Sequence, residues 1–355
     1  MTTDHTTSTD DVVGVLDAHR FDEARLEQYL RENVEGFIAP LTVQQFQGGM
    51  SNPTFRLADG AGRSYVMRKK PPGKLLPSAH AVDREYRVIQ ALGSTDVPVP
   101  KTHVLCEDES VIGTAFYVME HVLGRVFLDQ TLPGMEPAER TAVYASMNAS
   151  LAKLHGVDFE AVGLTGFGRV GAYCERQLNR WTKQYVATKT DDLRDMEQLM
   201  TWLPAHMPAE DPTTVVHGDY RLGNMIFHPT EPHVVAILDW ELSTLGHPLA
   251  DLAYNCFAYH APSAMRGDLV SADLEALGIP EESDYVQAYC RATGRQDIPD
   301  WTFYLVLSLF RLAAITQGVY FRGLQGNASD PRALERKDTC RQLAAVAWGL
   351  VGKKK

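Results

Sequence analysis

The sequence is poor in three features that would each point to a particular class of protein. Its five cysteines are an odd, widely spaced set without a Cys-x-x-Cys pair, which predicts a reduced, cytoplasmic compartment and no zinc site. Basic residues are scarce, with 34 Lys and Arg against 45 Asp and Glu, and the formal net charge of -11 argues against nucleic acid as a partner. No run reaches the roughly 18 consecutive apolar residues of a membrane span, because Arg311 and Gln317 interrupt the most apolar segment, 301–321. A soluble protein without a membrane or nucleic-acid partner is expected.

What the chain does contain is the composition of a folded protein. Apolar residues make up 45% and charged residues 22%, which is close to ordinary globular usage. A length of 355 residues suits two domains or one bilobal unit. The segment 1–14 is rich in Thr and Asp and lacks both a basic start and an apolar run. We expect it to be a flexible tail and neither a signal peptide nor an anchor. The sequence carries no signature of the oligomeric state.

Two patterns of apolar residues divide the rest of the chain. Strand-like alternation comes first, and mostly helical periodicity follows from about residue 124. The predicted first elements are a surface helix within 20–34, strands at 41–46, 54–57, 64–68, 103–107 and 114–121, and a helix at about 81–92. The predicted later elements are helices at about 136–155, 173–187, 192–206, 248–259, 284–292, 300–321 and 331–350, with only two strands, 224–228 and 234–238. This order predicts an α+β fold with a small antiparallel-sheet lobe, 15–122, and a larger, mostly helical lobe, 123–355.

A polar loop between apolar runs carries the strongest functional signal. It reads His217-Gly218-Asp219-Tyr220-Arg221-Leu222-Gly223-Asn224, and a later apolar run ends in Leu238-Asp239-Trp240. The loop therefore holds one carboxylate and one carboxamide, and a second carboxylate follows the next strand. Phosphoryl transfer needs such a set, because one carboxylate accepts the proton of the attacking hydroxyl and oxygen ligands hold magnesium on the phosphates.

The pattern H-G-D-x-x-x-x-N with a following apolar-D-W resembles the catalytic and metal loops of the aminoglycoside phosphotransferase/choline kinase-like family. The resemblance implies a bilobal protein-kinase-like fold and ATP and Mg2+ as cofactors. It also implies that Asp219 is the catalytic base, that Asn224 and Asp239 are magnesium ligands, and that His217 braces the loop. A lone His-Gly-Asp would be an ordinary turn, and the joint spacing is what favours a kinase-like site.

A second match lies between the first two predicted strands, at Phe46-Gln47-Gly48-Gly49-Met50-Ser51-Asn52. It resembles the nucleotide-positioning loop of the same family, which implies cofactor contacts from Gly48, Gly49, Ser51 and Asn52. Paired glycines let the backbone approach phosphate oxygens, and small polar side chains bind the same charge. No Gly-Lys-Ser/Thr follows, so the segment is not a Walker A loop, and by itself it would be an ordinary hairpin turn.

The family also requires a cation on the third strand, held by a glutamate on the next helix. The strand reads Tyr65-Val66-Met67-Arg68-Lys69-Lys70, and the helix carries Glu85. Alignment with the family places Arg68 where a lysine usually stands, and an arginine can pair with the Glu85 carboxylate through two hydrogen bonds. Lys70 shares the alternation and would take the role if the strand bulged. A solvated strand end is the ordinary alternative for Lys69 and Lys70.

Two further segments match the family by position. The segment 116–124 resembles the hinge between the lobes, which implies that backbone groups of Glu120 and Val122 bond the adenine edge. The segment 246–253 resembles the family's G-x-P-x-x-D-L-A pattern and contains Asp251. Asp251 begins a helix, where a carboxylate is favourable and could brace the catalytic loop. We assign Asp251 to the structure and not to the chemistry.

These matches predict an ATP- and Mg2+-dependent small-molecule O-phosphotransferase with a hydroxylated acceptor. Two acceptors stay open. The acidic run 268–284 would suit polycationic aminoglycosides, although it would equally suit a solvated loop face. The run 68–80 is closer in pattern to the kinase-like domains that occur fused to acyl-CoA dehydrogenases, which implies a hydroxyacyl-CoA whose phosphates could meet Lys74 and Arg84.

A hypothesis from another class is a nucleotide-binding pseudokinase or regulator. All three polar catalytic positions are present, which argues against it, but Arg68 in place of lysine keeps it open. The sequence does not distinguish ATP from GTP.

Overall fold

The computed structural model describes residues 6–8, 12–46, 52–71, 81–261, 267–328 and 332–352. The chain forms two compact units. Unit 1 consists of Met1–Leu128, Phe159–Thr165 and Leu222–Ser243, and unit 2 consists of Asp129–Asp158, Gly166–Arg221 and Thr244–Lys355.

The strands are β1 (Thr6–Ser8), β2 (Val12–Val13), β3 (Thr42–Phe46), β4 (Thr54–Ala58), β5 (Ser64–Lys69), β6 (Thr102–Cys106), β7 (Phe116–Glu120), β8 (Arg125–Phe127), β9 (Thr214–Val216), β10 (Met225–Phe227), β11 (Val234–Ile237) and β12 (Thr244–Gly246). The helices are α1 (Glu23–Asn33), α2 (Val82–Leu92), α3 (Glu109–Ile112), α4 (Pro137–His155), α5 (Tyr173–Thr188), α6 (Arg194–Ala205), α7 (Pro248–Cys256), α8 (Leu274–Leu277), α9 (Glu282–Thr293), α10 (Trp301–Leu324) and α11 (Thr339–Gly352).

Unit 1 contains a six-stranded antiparallel sheet in the order β2-β3-β4-β5-β7-β6. Alternation along the strands gives the sheet two different faces. One face packs against α1 in a core that includes Leu26, Leu30, Phe55, Leu57, Tyr65, Met67, Phe116 and Val118. Lys69 shares this face, with its amine 5.5 Å from the ring centroid of Phe21, and burial lowers the pKa of Lys69. Arg68, between Met67 and Lys69, therefore faces the opposite side, where α2 lies.

A second sheet of unit 1 has the order β1-β8-β10-β11. Strands β10 and β11 form a hairpin, and β8 pairs with both β1 and β10. The hairpin therefore belongs to unit 1, although the sequence assigned it to a contiguous lobe, 123–355. The segment 1–14, expected to be a flexible tail, contributes β1 and β2 to the two sheets. In both places, backbone pairing with strands distant in sequence decides the assignment.

Unit 2 is mostly helical. Its long helix α10 packs against α5, α7 and α11, and β9 and β12 form a two-stranded antiparallel sheet. Among the described residues, α10 is the one helix with the length and composition of a membrane span. Over its most apolar 18-residue stretch the mean hydropathy is 1.4, and 67% of that stretch is buried in the protein, as is usual for a core helix.

The α+β fold class is confirmed, with an antiparallel sheet followed by a largely helical region. The prediction of only two strands beyond residue 124 is wrong, because β8, β9 and β12 also form. Each of these three strands has three residues, which is too short for an alternating pattern to be recognised. The short helices α3 and α8 were missed for the same reason.

Candidate active site

In unit 1, Arg68 and Glu85 form a buried ion pair. Arg68 lies on β5, and its Nη1 is 3.0 Å from Glu85 Oε2 on α2. The Glu85 side chain is fully buried and also accepts hydrogen bonds from Asn52 Nδ2 at 2.7 Å and from Tyr117 Oη at 3.0 Å. Burial raises the pKa of Glu85, and the Arg68 charge and these two hydrogen bonds oppose that shift. The structure thus brings together the cation and the helix glutamate predicted for phosphate binding.

The predicted alternative cations are placed elsewhere. Lys70 lies beyond the end of β5, where its backbone N–H donates to the Ala115 carbonyl at 3.2 Å. Lys69 packs on the α1 side of the sheet. Asn52, expected at the phosphates, is 1% exposed and directs its amide to Glu85. Gly48, Gly49 and Ser51 lie outside the described residues.

Asp239 lies next to Arg68 within unit 1. Its Oδ1 is 3.3 Å from Arg68 Nη2 and 3.4 Å from Nη1. The Asp239 backbone is left-handed, with φ 66° and ψ 56°, a conformation that costs free energy for a residue other than glycine and concentrates at functional sites. Trp240 is buried and its Nε1 donates to the Ile237 carbonyl at 2.9 Å. The buried indole thus anchors the turn that presents the Asp239 carboxylate.

Asn224 lies at the same end of the β10–β11 hairpin as Asp239. The Leu238 N–H donates to the Asn224 carbonyl at 2.8 Å, and the pair Met225 and Ile237 continues the ladder. The described residues contain no group of three or more His, Cys, Asp or Glu side chains that could hold a metal. Magnesium needs only one or two protein oxygen ligands when phosphates and water complete its octahedron. One carboxylate and one carboxamide at one hairpin end therefore fit Mg2+.

In unit 2, Asp251 holds the loop that contains Asp219. Asp251 lies in the first turn of α7 and accepts the N–H groups of His217 at 2.7 Å and Gly218 at 2.9 Å. Burial works to raise the pKa of Asp251, but hydrogen bonding from His155 and His217 outweighs it and holds that pKa below its usual value. Gly218 has φ +81°, which only glycine adopts readily. The loop is thus fixed by a buried carboxylate, in the bracing position considered for it.

Asp219 has hydrogen bonds to both of its carboxylate oxygens. The Tyr254 hydroxyl donates to Oδ1, and Arg221 Nε donates to Oδ2 at 3.2 Å. The side chain of Asp219 is 19% exposed, so the carboxylate is oriented and still reachable. Arg311 on α10 donates from Nη2 to the Gly218 carbonyl at 2.7 Å.

Sequence reasoning missed Tyr254 and Arg311. Tyr254 lies three residues after Asp251 on α7, so the two side chains lie on neighbouring positions of one helix face. Arg311 was visible only as a charge inside the most apolar helix of the chain. A buried charge in such a helix usually has a specific partner, and that was the available signal.

The two predicted hinge residues, Glu120 and Val122, lie at and just after the end of β7. Glu120 ends β7, its side chain is exposed, and its backbone N–H donates to the Lys101 carbonyl at 2.8 Å. Val122 follows and is half-buried. Their contact with adenine stays a prediction.

Comparison with known proteins assigns the family. The model of the phosphotransferase enzyme family matches residues 42–301, more than half of the chain. A solved structure from Ralstonia eutropha JMP134, provisionally described as an aminoglycoside phosphotransferase, is 52% identical with a TM-score of 0.87 and covers 95% of this chain and 100% of its own. An aminoglycoside phosphotransferase solved with ADP and hygromycin B has a TM-score of 0.61 at 14% identity and covers 94% of this chain and 99% of its own. That similarity shows the fold alone.

Curated relatives are longer proteins. Acyl-CoA dehydrogenase family member 10 of Mus musculus is 48% identical over 334 residues, which is 92% of this chain and 31% of that protein. Acyl-CoA dehydrogenase family member 11 of Homo sapiens is 47% identical over 329 residues, 91% of this chain and 42% of that protein. The chain thus spans less than half the length of these relatives. The resemblance read from the sequence is confirmed: the chain belongs to the phosphotransferase enzyme family.

Proposed function

We propose that this protein transfers the γ-phosphate of ATP, with Mg2+, to a hydroxyl group of a small molecule. The observation that carries the proposal is the arrangement of Asp219. Its loop is fixed by Asp251, and its carboxylate is oriented by Tyr254 and Arg221 while staying partly exposed. A positioned carboxylate of this kind accepts the proton of an attacking hydroxyl.

The residues of unit 1 supply the nucleotide side of the proposed reaction. Arg68, held by Glu85, binds the α- and β-phosphates in the role usually filled by lysine. Asn224 and Asp239 would hold Mg2+, which neutralises charge on the phosphate oxygens when bound. Gly48, Gly49, Ser51 and Asn52 are proposed to position the nucleotide, and backbone groups of Glu120 and Val122 to bond adenine.

For the acceptor, we favour a hydroxyacyl-CoA, because relatives at 47–48% identity are acyl-CoA dehydrogenase family members. Arg84, one candidate for its phosphates, donates to the Ser243 carbonyl at 3.4 Å. Lys74 lies outside the described residues.

Aminoglycosides are the second candidate, because of the similarity to the Ralstonia protein. The acidic run 268–284 gives them little support. Asp268 accepts the N–H groups of Val270 and Ser271, and Asp273 caps α8, so these carboxylates serve local structure. A cytoplasmic location is proposed from the cysteines, which are all free and buried.

The test is Mg2+-dependent release of ADP in the presence of hydroxylated acceptors, with the wild type and Asp219→Asn. We expect Asp219→Asn to lower kcat roughly 10²- to 10⁴-fold, the range for loss of a positioned base, with little change in ATP affinity. Asp192→Asn is the matched control, because Asp192 is an exposed carboxylate of the same unit. A fully active Asp219→Asn enzyme would contradict the assignment. ATP binding without turnover of any acceptor would favour the pseudokinase alternative.

A further inference from the structure

Arg311 has an unusual environment beside the catalytic loop. Its guanidinium carbon lies 4.9 Å from the ring centroid of Tyr254 and 5.7 Å from that of Trp181. Its Nη2 bonds the Gly218 carbonyl, one residue before Asp219. Its Nε is buried and has no hydrogen-bond partner within the part of the chain that the structure describes. The cation therefore packs against two aromatic rings and leaves the donor at Nε unused.

Arg180 adds a second cation to the same indole. Its guanidinium carbon lies 4.8 Å from the Trp181 ring centroid, and its side chain is exposed. Over the described ranges, neither Arg180 nor Arg311 lies within ion-pair distance of a carboxylate. The nearby carboxylates already have partners, since Asp219 bonds Tyr254 and Arg221 and Asp251 bonds the loop N–H groups.

Arg311 is half-buried, and a partly desolvated cation without an anionic partner is unfavourable, because the lost hydration is not repaid by an ion pair. An unused buried donor usually marks a position that a water, ion or ligand fills. A guanidinium is well suited to carboxylate and phosphate oxygens, which it binds through two parallel N–H groups. These three points indicate that the position beside Asp219 is completed by an anion.

We propose that Arg180, Trp181, Tyr254 and Arg311, here called the Arg311 cluster, form a subsite for an anionic group on the phosphate acceptor. The proposal rests on the proposed function, because it takes Asp219 as the base for that acceptor. The acceptor is then a hydroxylated compound that carries a carboxylate or a phosphate. A polycation is disfavoured, because its charges would meet two arginines beside the reacting hydroxyl.

The experiment compares four acceptors that differ in charge. They are 3-hydroxybutyrate, 3-hydroxybutyryl-CoA, the neutral 3-hydroxybutyryl thioester of N-acetylcysteamine, and kanamycin. The first two separate a carboxylate from carrier phosphates as the source of the anion. The enzymes are the wild type, Arg311→Gln, Arg180→Gln and the control Arg291→Gln, which changes an exposed arginine on α9 of the same unit.

We expect Arg311→Gln to raise KM for the anionic acceptor roughly 10-fold or more, as for loss of a hydrogen bond to a charged group. Arg180→Gln is expected to raise it up to about 5-fold, as for an exposed charge pair. In both variants KM for ATP should stay unchanged, and KM for the neutral thioester should rise only slightly. Arg291→Gln should have the same KM values as the wild type. Because Arg180 is exposed, its variant keeps the test valid if Arg311→Gln folds poorly.

Two results would overturn the subsite. One is an equal rise in KM for anionic and neutral acceptors in Arg311→Gln together with no change in Arg180→Gln. Arg311 would then only support the loop that contains Gly218 and Asp219. The other is a preference of the wild type for kanamycin or for the neutral thioester. Calorimetric titration of each acceptor without ATP separates this failure from that of the proposed function. Arginine-dependent binding of an anionic acceptor without turnover would support the subsite and contradict phosphotransfer.

Discussion

Arg68 in unit 1 and Arg311 in unit 2 have different kinds of partners. Arg68 is paired with the fully buried Glu85, which Asn52 and Tyr117 also bond. Arg311 is held by aromatic rings and a backbone carbonyl. Both leave a buried Nε without a partner among the described residues.

The two cations are kept in place in different ways. A buried carboxylate neutralises Arg68 within the protein, so its position is set before any ligand arrives. Arg311 is positioned by packing against two rings and by one hydrogen bond to a backbone carbonyl. Arg68 is thus part of an internal ion pair, whereas Arg311 has no carboxylate within ion-pair distance among the described residues.

Among the variants that test this difference, Glu85→Gln is expected to have the largest effect on stability. It removes the ion pair of Arg68 with the fully buried Glu85 and leaves only the longer pair with Asp239, and breaking a buried ion pair costs about 3–5 kcal/mol. We expect the free energy of unfolding to fall by that amount in urea denaturation. Arg311→Gln removes no internal ion pair and should lower the free energy of unfolding by only about 1 kcal/mol, the value of one hydrogen bond.

Glu109→Gln is the control for Glu85→Gln, because Glu109 is an exposed glutamate of unit 1. Equal stability of Glu85→Gln and Glu109→Gln would show that Arg68 does not depend on its carboxylate.

The next largest effect is a dependence of stability on pH through α7, the helix that carries Asp251 and Tyr254. His247 caps this helix, accepting the Leu249 N–H at Nδ1, and burial lowers the pKa of His247 to about 4 from a usual 6.5. The unfolded chain therefore binds this proton more readily, so stability falls as the pH drops from 6.5 to 4. The full loss is about 3 kcal/mol.

His247→Asn keeps a helix-capping side chain without a titrating group. We expect its urea midpoint to vary less between pH 7 and pH 4.5 than that of the wild type. Parallel pH profiles for the two proteins would contradict this role of His247.

The smallest effect is expected from Tyr254→Phe. This change removes the hydrogen bond to Asp219 Oδ1 and leaves the ring that packs on Arg311. One such bond is worth about 1.4 kcal/mol, so kcat should fall about 10-fold. The acceptor KM should change little, whereas Arg311→Gln should change mainly that KM. A large rise in acceptor KM in Tyr254→Phe would contradict the assignment of the Tyr254 hydroxyl to orienting Asp219 rather than to binding the acceptor.

Much of the fold was predictable because long elements carry repeated patterns. The strands that became β3 to β7 and the helices α2, α4 and α10 were located within a few residues. The three-residue strands β8, β9 and β12 were missed. Asp219, Asn224 and Asp239 could be singled out because their spacing along the chain is itself the signal. Tyr254 and Arg311 could not, because their relation to Asp219 spans 35 and 92 residues.

Residue type and local spacing were enough to identify the family and the fold class, and to single out the polar residues that we propose for the reaction. The sequence also determined that an arginine stands on the third strand of the sheet. Which of Arg68, Lys69 and Lys70 meets Glu85 depends on the folded sheet, because its two faces pack against different helices. Likewise, only the tertiary structure placed Arg311 beside the catalytic loop, because helix packing joins residues that no local pattern connects.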